Sequence, residues 1–427
     1  MHNKMQLSNG LNVVYQKLEG YKSVCVGVWI KAGSANESKC NNGISHFIEH
    51  MMFKGTKTRS AKDIALIIDG IGGEINAYTA KECTCYYTKL LGEDLEVGFD
   101  VLSDMIQHST FESEHIEVEK TVILDEINMY EDSAEDLVED ILTGITFGDH
   151  ALSLPILGTK ETVSNFKRED LISYYSDFYV ANNAVISIAG AFDEVELKRL
   201  CEKYFGAMVQ NDRLASNVIG PKFHSEFGYK YKDNEQIQVS IDMPGVPYDD
   251  DRSYDLMLLS NVFGGTNSSL LFQKIREEAG LSYSIFSQPS FYDDIGTMNI
   301  SFGVSKENLE QTIKLIIETI NQIKQNRLTD EAVEHARAHL RGSFVLGLEG
   351  TDNYMDLIGR LELFTQKEKS LDEMMAKINN IKTETVNALI DLCFEKDKIA
   401  LAIVGDIDKA STEKLFNMLK NDILTLT

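Results

Sequence analysis

Residues 183–200 read NAVISIAGAFDEVELKRL, and residues 397–415 read DKIALAIVGDIDKASTEKL. Each stretch is an apolar run that ends in Gly-x-x-Asp and continues with leucines and charges at helical spacing. That pattern predicts a buried strand followed by a helix. Gly190 corresponds to Gly405 and Asp193 to Asp408, an offset of 215 residues in both cases. A helical segment precedes each copy, LISYYSDFY at 171–179 and TVNALIDLCF at 385–394.

A second correspondence lies upstream. GISHFIEHMMFKGT at 43–56 can be laid on YDLMLLSNVFGGT at 254–266 by matching Gly55-Thr56 with Gly265-Thr266, an offset of 210. The small difference between the two offsets is what a change of loop length produces. A repeat this long is a duplicated domain rather than a solenoid unit. The polar, turn-rich stretch GAMVQNDRLASNVIGPKF, which contains Pro221, places the boundary. The expected domains are 1–208 and 222–427, with 209–221 as linker. Alternating strands such as SVCVGVWIKAG and EQIQVSIDMPG come early in each half, and longer helices follow. One-faced alternation implies antiparallel pairing. The expected fold class is α+β: two homologous αβ domains, each a mainly antiparallel sheet packed with helices.

The 427 residues suffice for two to three domains with their own cores. With 43% hydrophobic and 25% charged residues the composition is globular, not disordered. The net charge of −26, from 41 basic and 67 acidic residues, argues against nucleic acid and anionic membranes as partners, since both select a basic face. It suits a partner or substrate that carries positive charge. The opening MHNKMQLSNGLNVVYQ has neither the basic and apolar regions of a signal peptide nor an Arg- and Ser-rich transit composition. No apolar run reaches the roughly 20 residues of a spanning helix. Cys25, Cys40, Cys83, Cys85, Cys201 and Cys393 are scattered without a CxxC pair, so they read as reduced thiols of a cytoplasmic protein.

Within the upstream correspondence, His46, Glu49 and His50 fall on Leu256, Leu259 and Ser260. The second half keeps the helix and lacks the polar cluster, so the cluster is a specialisation of one copy. On a helix His46 and His50 share a face, a spacing that lets two neutral imidazoles bind one Zn²⁺. Glu49 lies on the same face, placed to take a proton from water and pass it to a leaving amine. The order His-x-x-Glu-His marks the inverted zinc peptidases. His335 and His339 share the i, i+4 spacing, but Arg337 sits between them and would repel a cation, so they read as solvent-facing. A third ligand is needed, and HIEVEKTVILDEINMYEDSAEDLVEDIL offers carboxylates on a helical pattern. Glu119 and Glu126 share a face, Asp125 is a rival, and spacing alone leaves the choice open.

The chain resembles the pitrilysin/insulinase family of zinc metallopeptidases, in the branch of the mitochondrial processing peptidase catalytic subunit and its bacterial relatives. The resemblance spans nearly the whole chain and rests on GISHFIEHMMFKGT, IGGEINAYTAKECTCYYTKLL, VEKTVILDEI and LLFQKIREEAGLSYSI. It implies Glu126 as the third ligand of one zinc per chain and Glu119 as a supporting carboxylate. It implies an edge strand at Asn76, Ala77, Tyr78 and Thr79, to which an extended substrate adds by backbone hydrogen bonds. It implies that Arg276 and Tyr283 reach the active site to steady the developing oxyanion or the peptide backbone. Phe53 matches a position that lines a substrate pocket, and Asp136 and Asp140 match acidic positions that receive a basic residue near the cleaved bond. The short members of the family close as two chains around a chamber, which implies a homodimer acting on peptides and unfolded segments. The family also contains members without the zinc site that act as silent binding subunits. Here all four motif positions are intact.

Overall fold

The computed structural model describes residues 2–211, 220–367 and 370–424. Two compact units emerge, the first comprising Met1–Ile127, Leu154–Val218 and Val345–Glu373, the second Asn128–Ser153, Ile219–Phe344 and Met374–Thr427. The units are therefore not the contiguous segments 1–208 and 222–427. Each takes in one segment from the other half of the sequence, and most of the expected linker at 209–221 lies outside the described residues.

The first unit holds strands β1 (Asn3–Gln6), β2 (Asn12–Lys17), β3 (Ser23–Ile30), β4 (Glu74–Thr79), β5 (Thr84–Leu91) and β6 (Ala184–Gly190). They form one sheet in the order β1-β2-β6-β3-β5-β4, antiparallel except for the parallel pair β2 and β6. The second unit holds β7 (Phe227–Tyr231), β8 (Ile237–Pro244), β9 (Ile285–Phe291), β10 (Gly296–Val304) and β11 (Ala400–Gly405) in the order β7-β11-β8-β10-β9. There too the strand ending in the repeated glycine, β11, makes the one parallel pair, with β7. The expected α+β class with mainly antiparallel sheets describes both units.

The repeated Gly-x-x-Asp has a physical reason at each letter. Gly190 and Gly405 have φ of +130° and +150°, and a Cβ on Gly190 would lie 2.3 Å from Ser23 O. Asp193 then caps the helix Glu194–Phe205 by accepting the Val195 and Glu196 N–H groups. Asp408 caps Lys409–Asp422 through the Ser411 N–H in the same way.

One face of each sheet packs on the helices of its own repeat. Phe47, Ile48, Phe99, Leu102 and Ile186 centre the first core, and Leu256, Leu259, Ile300, Ile313 and Ile403 the second. The opposite face is covered by the exchanged segment. Helix Thr351–Thr365 lays Met355, Ile358 and Leu363 on Val14, Cys25, Trp29, Cys85 and Val185 of the first sheet. Helix Ala134–Phe147 lays Ala134, Val138 and Leu142 on Ala400, Ala402 and Val404 of the second. All six cysteines are free, five of them buried and Cys40 exposed. Among the described residues no helix is long and apolar enough to cross a membrane.

Candidate active site

Helix Ile44–Met52 carries the two histidines and begins on a firmly held first turn. Its N-cap, Gly43, has φ of +92°, and a Cβ there would lie 2.7 Å from both Gly158 Cα and Leu157 O. Only glycine fits. The buried Glu37 carboxylate takes the Gly43 N–H at 2.7 Å, the Ser45 N–H at 2.8 Å and the Asn42 side-chain amide at 2.9 Å. A carboxylate on the free N–H groups of a helix start satisfies donors and complements the dipole. Burial nonetheless leaves the Glu37 carboxyl above the usual range, since desolvation outweighs those bonds. Sequence spacing gave no sign of Glu37.

His46 and His50 lie one turn apart and meet edge to face, ring centroids 4.5 Å from each other. Their Nε2 atoms each lie 3.6 Å from Glu126 Oε2, and one donor atom from each of the three residues falls within 4.8 Å of the others. Donors on a tetrahedral ion at zinc distances are about 3.3 Å apart, so the set fits zinc with little adjustment. Among the described residues this is the one such group. Burial, with His50 beside it, pushes the His46 imidazole down to about 3, which keeps it in the neutral form that ligates. Asp125, the rival ligand, is exposed.

Glu126 and Glu119 come from helix Ser113–Asp132, whose buried residues are Ile116, Glu119, Ile123 and Ile127. Glu119 is 2% exposed. It bonds His50 Nδ1 at 3.0 Å and pairs with Lys54 Nζ at 2.6 Å. Burial raises the Glu119 carboxyl, but the bonds from His50 and Lys54 win and hold it below the usual range. An ionised Glu119 fixes the proton of His50 on Nδ1 and leaves Nε2 free to bind metal. Lys54 was missed from the sequence, although its i+4 spacing from His50 was the available sign.

Glu49 is not one of the converging donors. Its Oε2 accepts the Thr79 hydroxyl at 2.5 Å, from the end of β4. Burial raises the Glu49 carboxyl, and the Thr79 bond only partly offsets it. β4 pairs with β5 alone and leaves its other edge free among the described strands. Ile75 and Ala77 pack on the core side of the strand, while Tyr78 faces helix Thr351–Thr365. The Asn76 side chain accepts the Ala77 N–H at 2.8 Å. Phe53 is half-buried against the first core, just past the end of the histidine helix.

The remaining expected residues lie on the second unit. Arg276 stacks its guanidinium on the Phe272 and Tyr283 rings, 4.6 and 4.7 Å from their centroids. The two residues that the resemblance paired, Arg276 and Tyr283, are thus in contact, and Tyr283 is 78% exposed. Asp136 lines a cavity of about 400 Å³ with Glu135, Glu139, Gln236, Gln238 and Tyr283. Asp140, one turn further along the same helix Ala134–Phe147, is not among its lining residues.

Residues 12–160 match the family described as insulinase, peptidase family M16, and residues 165–340 match the peptidase M16 inactive domain. An uncharacterized zinc protease of Bacillus subtilis, YmxG, is 41% identical over 397 residues, covering 93% of this chain and 96% of that protein. An uncharacterized zinc protease of Streptomyces coelicolor is 33% identical, covering 96% and 90%. In fold, the chain is similar to a protease from Helicobacter pylori, with a TM-score of 0.87, 20% identity, and 95% and 99% of the two chains covered. A Pseudomonas fluorescens structure described as a peptidase M16 inactive domain aligns with a TM-score of 0.89 at 17% identity, covering 96% and 98%. With relatives this similar over nearly their whole length, the chain belongs to the insulinase family, M16.

Proposed function

We propose that the protein is a zinc metalloendopeptidase that cleaves peptides and unfolded protein segments. The observation that carries this is the convergence of His46, His50 and Glu126 beside a half-buried, hydrogen-bonded Glu49. The names of the relatives, zinc proteases, support the same metal and reaction class. Zinc held by the three ligands would supply a Lewis acid that acidifies water and polarises the scissile carbonyl. Glu49 takes the proton from the attacking water and returns it to the departing amine. Its raised carboxyl favours that return, because a general base that must later act as an acid works best near ambient pH. The free edge of β4 presents the substrate as an added strand, which reads extended backbone with little regard to sequence.

Arg276 and Tyr283 steady the developing oxyanion, with the guanidinium and phenol already stacked on each other. The acidic cavity holding Asp136 takes a basic residue near the cleaved bond, in keeping with a net charge of −26. Two chains close as a homodimer around a chamber that admits unfolded segments, and Arg276 and Tyr283 of one serve the site of the other. Free, mostly buried cysteines support a cytoplasmic setting.

The test is metal analysis of the purified protein and its Glu49→Gln variant, with hydrolysis of a quenched basic peptide assayed on both. One zinc per chain in each and cleavage only by the parent supports the reading. Absence of bound zinc after reconstitution would overturn it.

A further inference from the structure

The last two residues of β4 serve opposite faces of the sheet. Thr79 turns toward the histidine helix and donates to Glu49. Tyr78 turns the other way and meets Trp29 edge-on, with ring centroids 6.1 Å apart, beneath helix Thr351–Thr365. There its phenol donates to Asp356 Oδ1 at 2.5 Å and accepts from Arg360 Nη2 at 3.0 Å. Arg360 closes the ring by bonding Asp356 Oδ2 at 2.9 Å, one helical turn away. Its guanidinium also lies 5.6 Å from the centroids of both the Trp29 and Tyr78 rings. Three mutual bonds, all charge-assisted, make a stiff attachment in a half-buried place.

That attachment matters because β4 is an edge strand, bonded along one side only. A strand so held can twist about its axis, and twisting moves consecutive side chains in opposite senses. Letting go of Tyr78 therefore lets Thr79 drift from Glu49. The depth of the anchoring helix is set as tightly. A Cβ on Gly359 would lie 2.2 Å from Trp29 Nε1, and one on Gly27 would lie 2.2 Å from Met355 Sδ. Helix and sheet meet at glycines on both sides, which fixes the height at which Asp356 and Arg360 face Tyr78.

We propose that Asp356 and Arg360 are positioning residues for peptide hydrolysis, acting through the Tyr78 phenol on the strand that holds Thr79 against Glu49. The inference rests on Glu49 being the base, and nothing in the sequence pattern around the histidines points to residues some 300 positions away. A displacement of about 1 Å at a reacting group can cost up to 100-fold in rate.

The experiment is a double-mutant cycle on the full chain, with Asp356→Asn, Tyr78→Phe and Thr79→Val, and each of the first two combined with the third. Hydrolysis of the quenched peptide gives kcat and KM, and hydrogen exchange is followed in the metal-free proteins over residues 74–79 and 44–52. Each single variant is expected to lose about tenfold in kcat with KM within threefold of the parent. The combined variants should be no slower than Thr79→Val alone, since the clamp works through that hydroxyl. Exchange over 74–79 should rise at least tenfold in Asp356→Asn and Tyr78→Phe, with 44–52 unchanged. Tyr78→Phe keeps the buried ring and serves if Asp356→Asn does not fold. Losses that multiply in the combined variants, or unchanged exchange over 74–79, overturn the proposal. A parent that hydrolyses nothing would sink the base reading of Glu49 instead, while the exchange data would still decide the clamp.

Discussion

Replacing Glu119 by Gln isolates the hold on His50 from the metal ligands themselves. The wild-type carboxylate is 2% exposed, accepts from His50 Nδ1 at 3.0 Å and faces the Lys54 ammonium at 2.6 Å. A glutamine keeps the shape, and its carbonyl can still accept from one donor, but the charge is gone. Exchanging a charge-assisted bond for a neutral one costs about 1–1.5 kcal/mol. The amide NH₂ must also face an ammonium, donor against donor. Lys54 is 33% exposed at its side chain, so it can turn to water, and the fold should lose little. The cost therefore falls mainly on the orientation and basicity of His50. We expect zinc affinity to drop 10- to 100-fold, which is about 1.4–2.7 kcal/mol. Competition between the folded metal-free protein and a chromophoric chelator measures it directly, with no need of a substrate. An affinity within twofold of the parent would refute the argument that Glu119 fixes the ligating tautomer.

Glu49→Gln should keep its zinc and lose about 10²- to 10⁴-fold in peptide hydrolysis, read by metal analysis and turnover on one preparation. Gly43→Ala should destabilise the first unit by about 1–3 kcal/mol, because the new methyl meets Gly158 at a positive φ; a urea midpoint unchanged from the parent would count against it. Asp242 accepts from Thr146 and Asn299 in a buried site, and burial raises its carboxyl to about 7. Its folded value lies above the unfolded one near 4, so folding favours the protonated form. Stability is then lost as pH rises from about 4 through 7, by an amount of the order of a few kcal/mol. Asp242→Asn should flatten that loss, so its urea midpoint should exceed the parent's at pH 8 and not at pH 4.

How far the sequence carried depends on whether a feature is local. His46, Glu49 and His50 were legible because a helix of known period puts them together without help from the rest of the chain. The repeated Gly-x-x-Asp was legible for the same reason, a strand end and a helix cap being decided within a few residues. The choice between Asp125 and Glu126 needed the family resemblance, yet the helix phase contains it. Ile116, Ile123 and Ile127 mark the buried face. At about 100° per residue, Glu126 lies 60–100° from Ile123 and Ile127, while Asp125 lies about 160° from both. Asp125 is accordingly exposed. Thr79 on Glu49 and Glu37 on the helix start are tertiary contacts, and no periodicity announces them.

The exchange of helices between the two units is the part that a pattern search could least supply. Periodicity says which side of a helix is apolar, and not which sheet will receive it. The receiving faces nevertheless dictate the assignment once they are known. β3 is buried along nearly its whole length, so its second face, with Cys25 and Trp29, demanded an apolar cover. Helix Thr351–Thr365 meets that demand with Met355, Ile358 and Leu363. On the second sheet the corresponding face of β8 and β10 carries Ser240, Asp242, Asn299 and Ser301, all buried. Helix Ala134–Phe147 brings Glu139, which accepts both serine hydroxyls at 2.7 Å, and Thr146, which donates to Asp242 at 3.1 Å. Under an apolar helix instead, those serines and Asp242 would lose the Glu139 and Thr146 bonds. Each buried polar group left without a partner costs about 1–3 kcal/mol, and an ionised carboxylate more, so each sheet face is covered by the helix whose side chains match it.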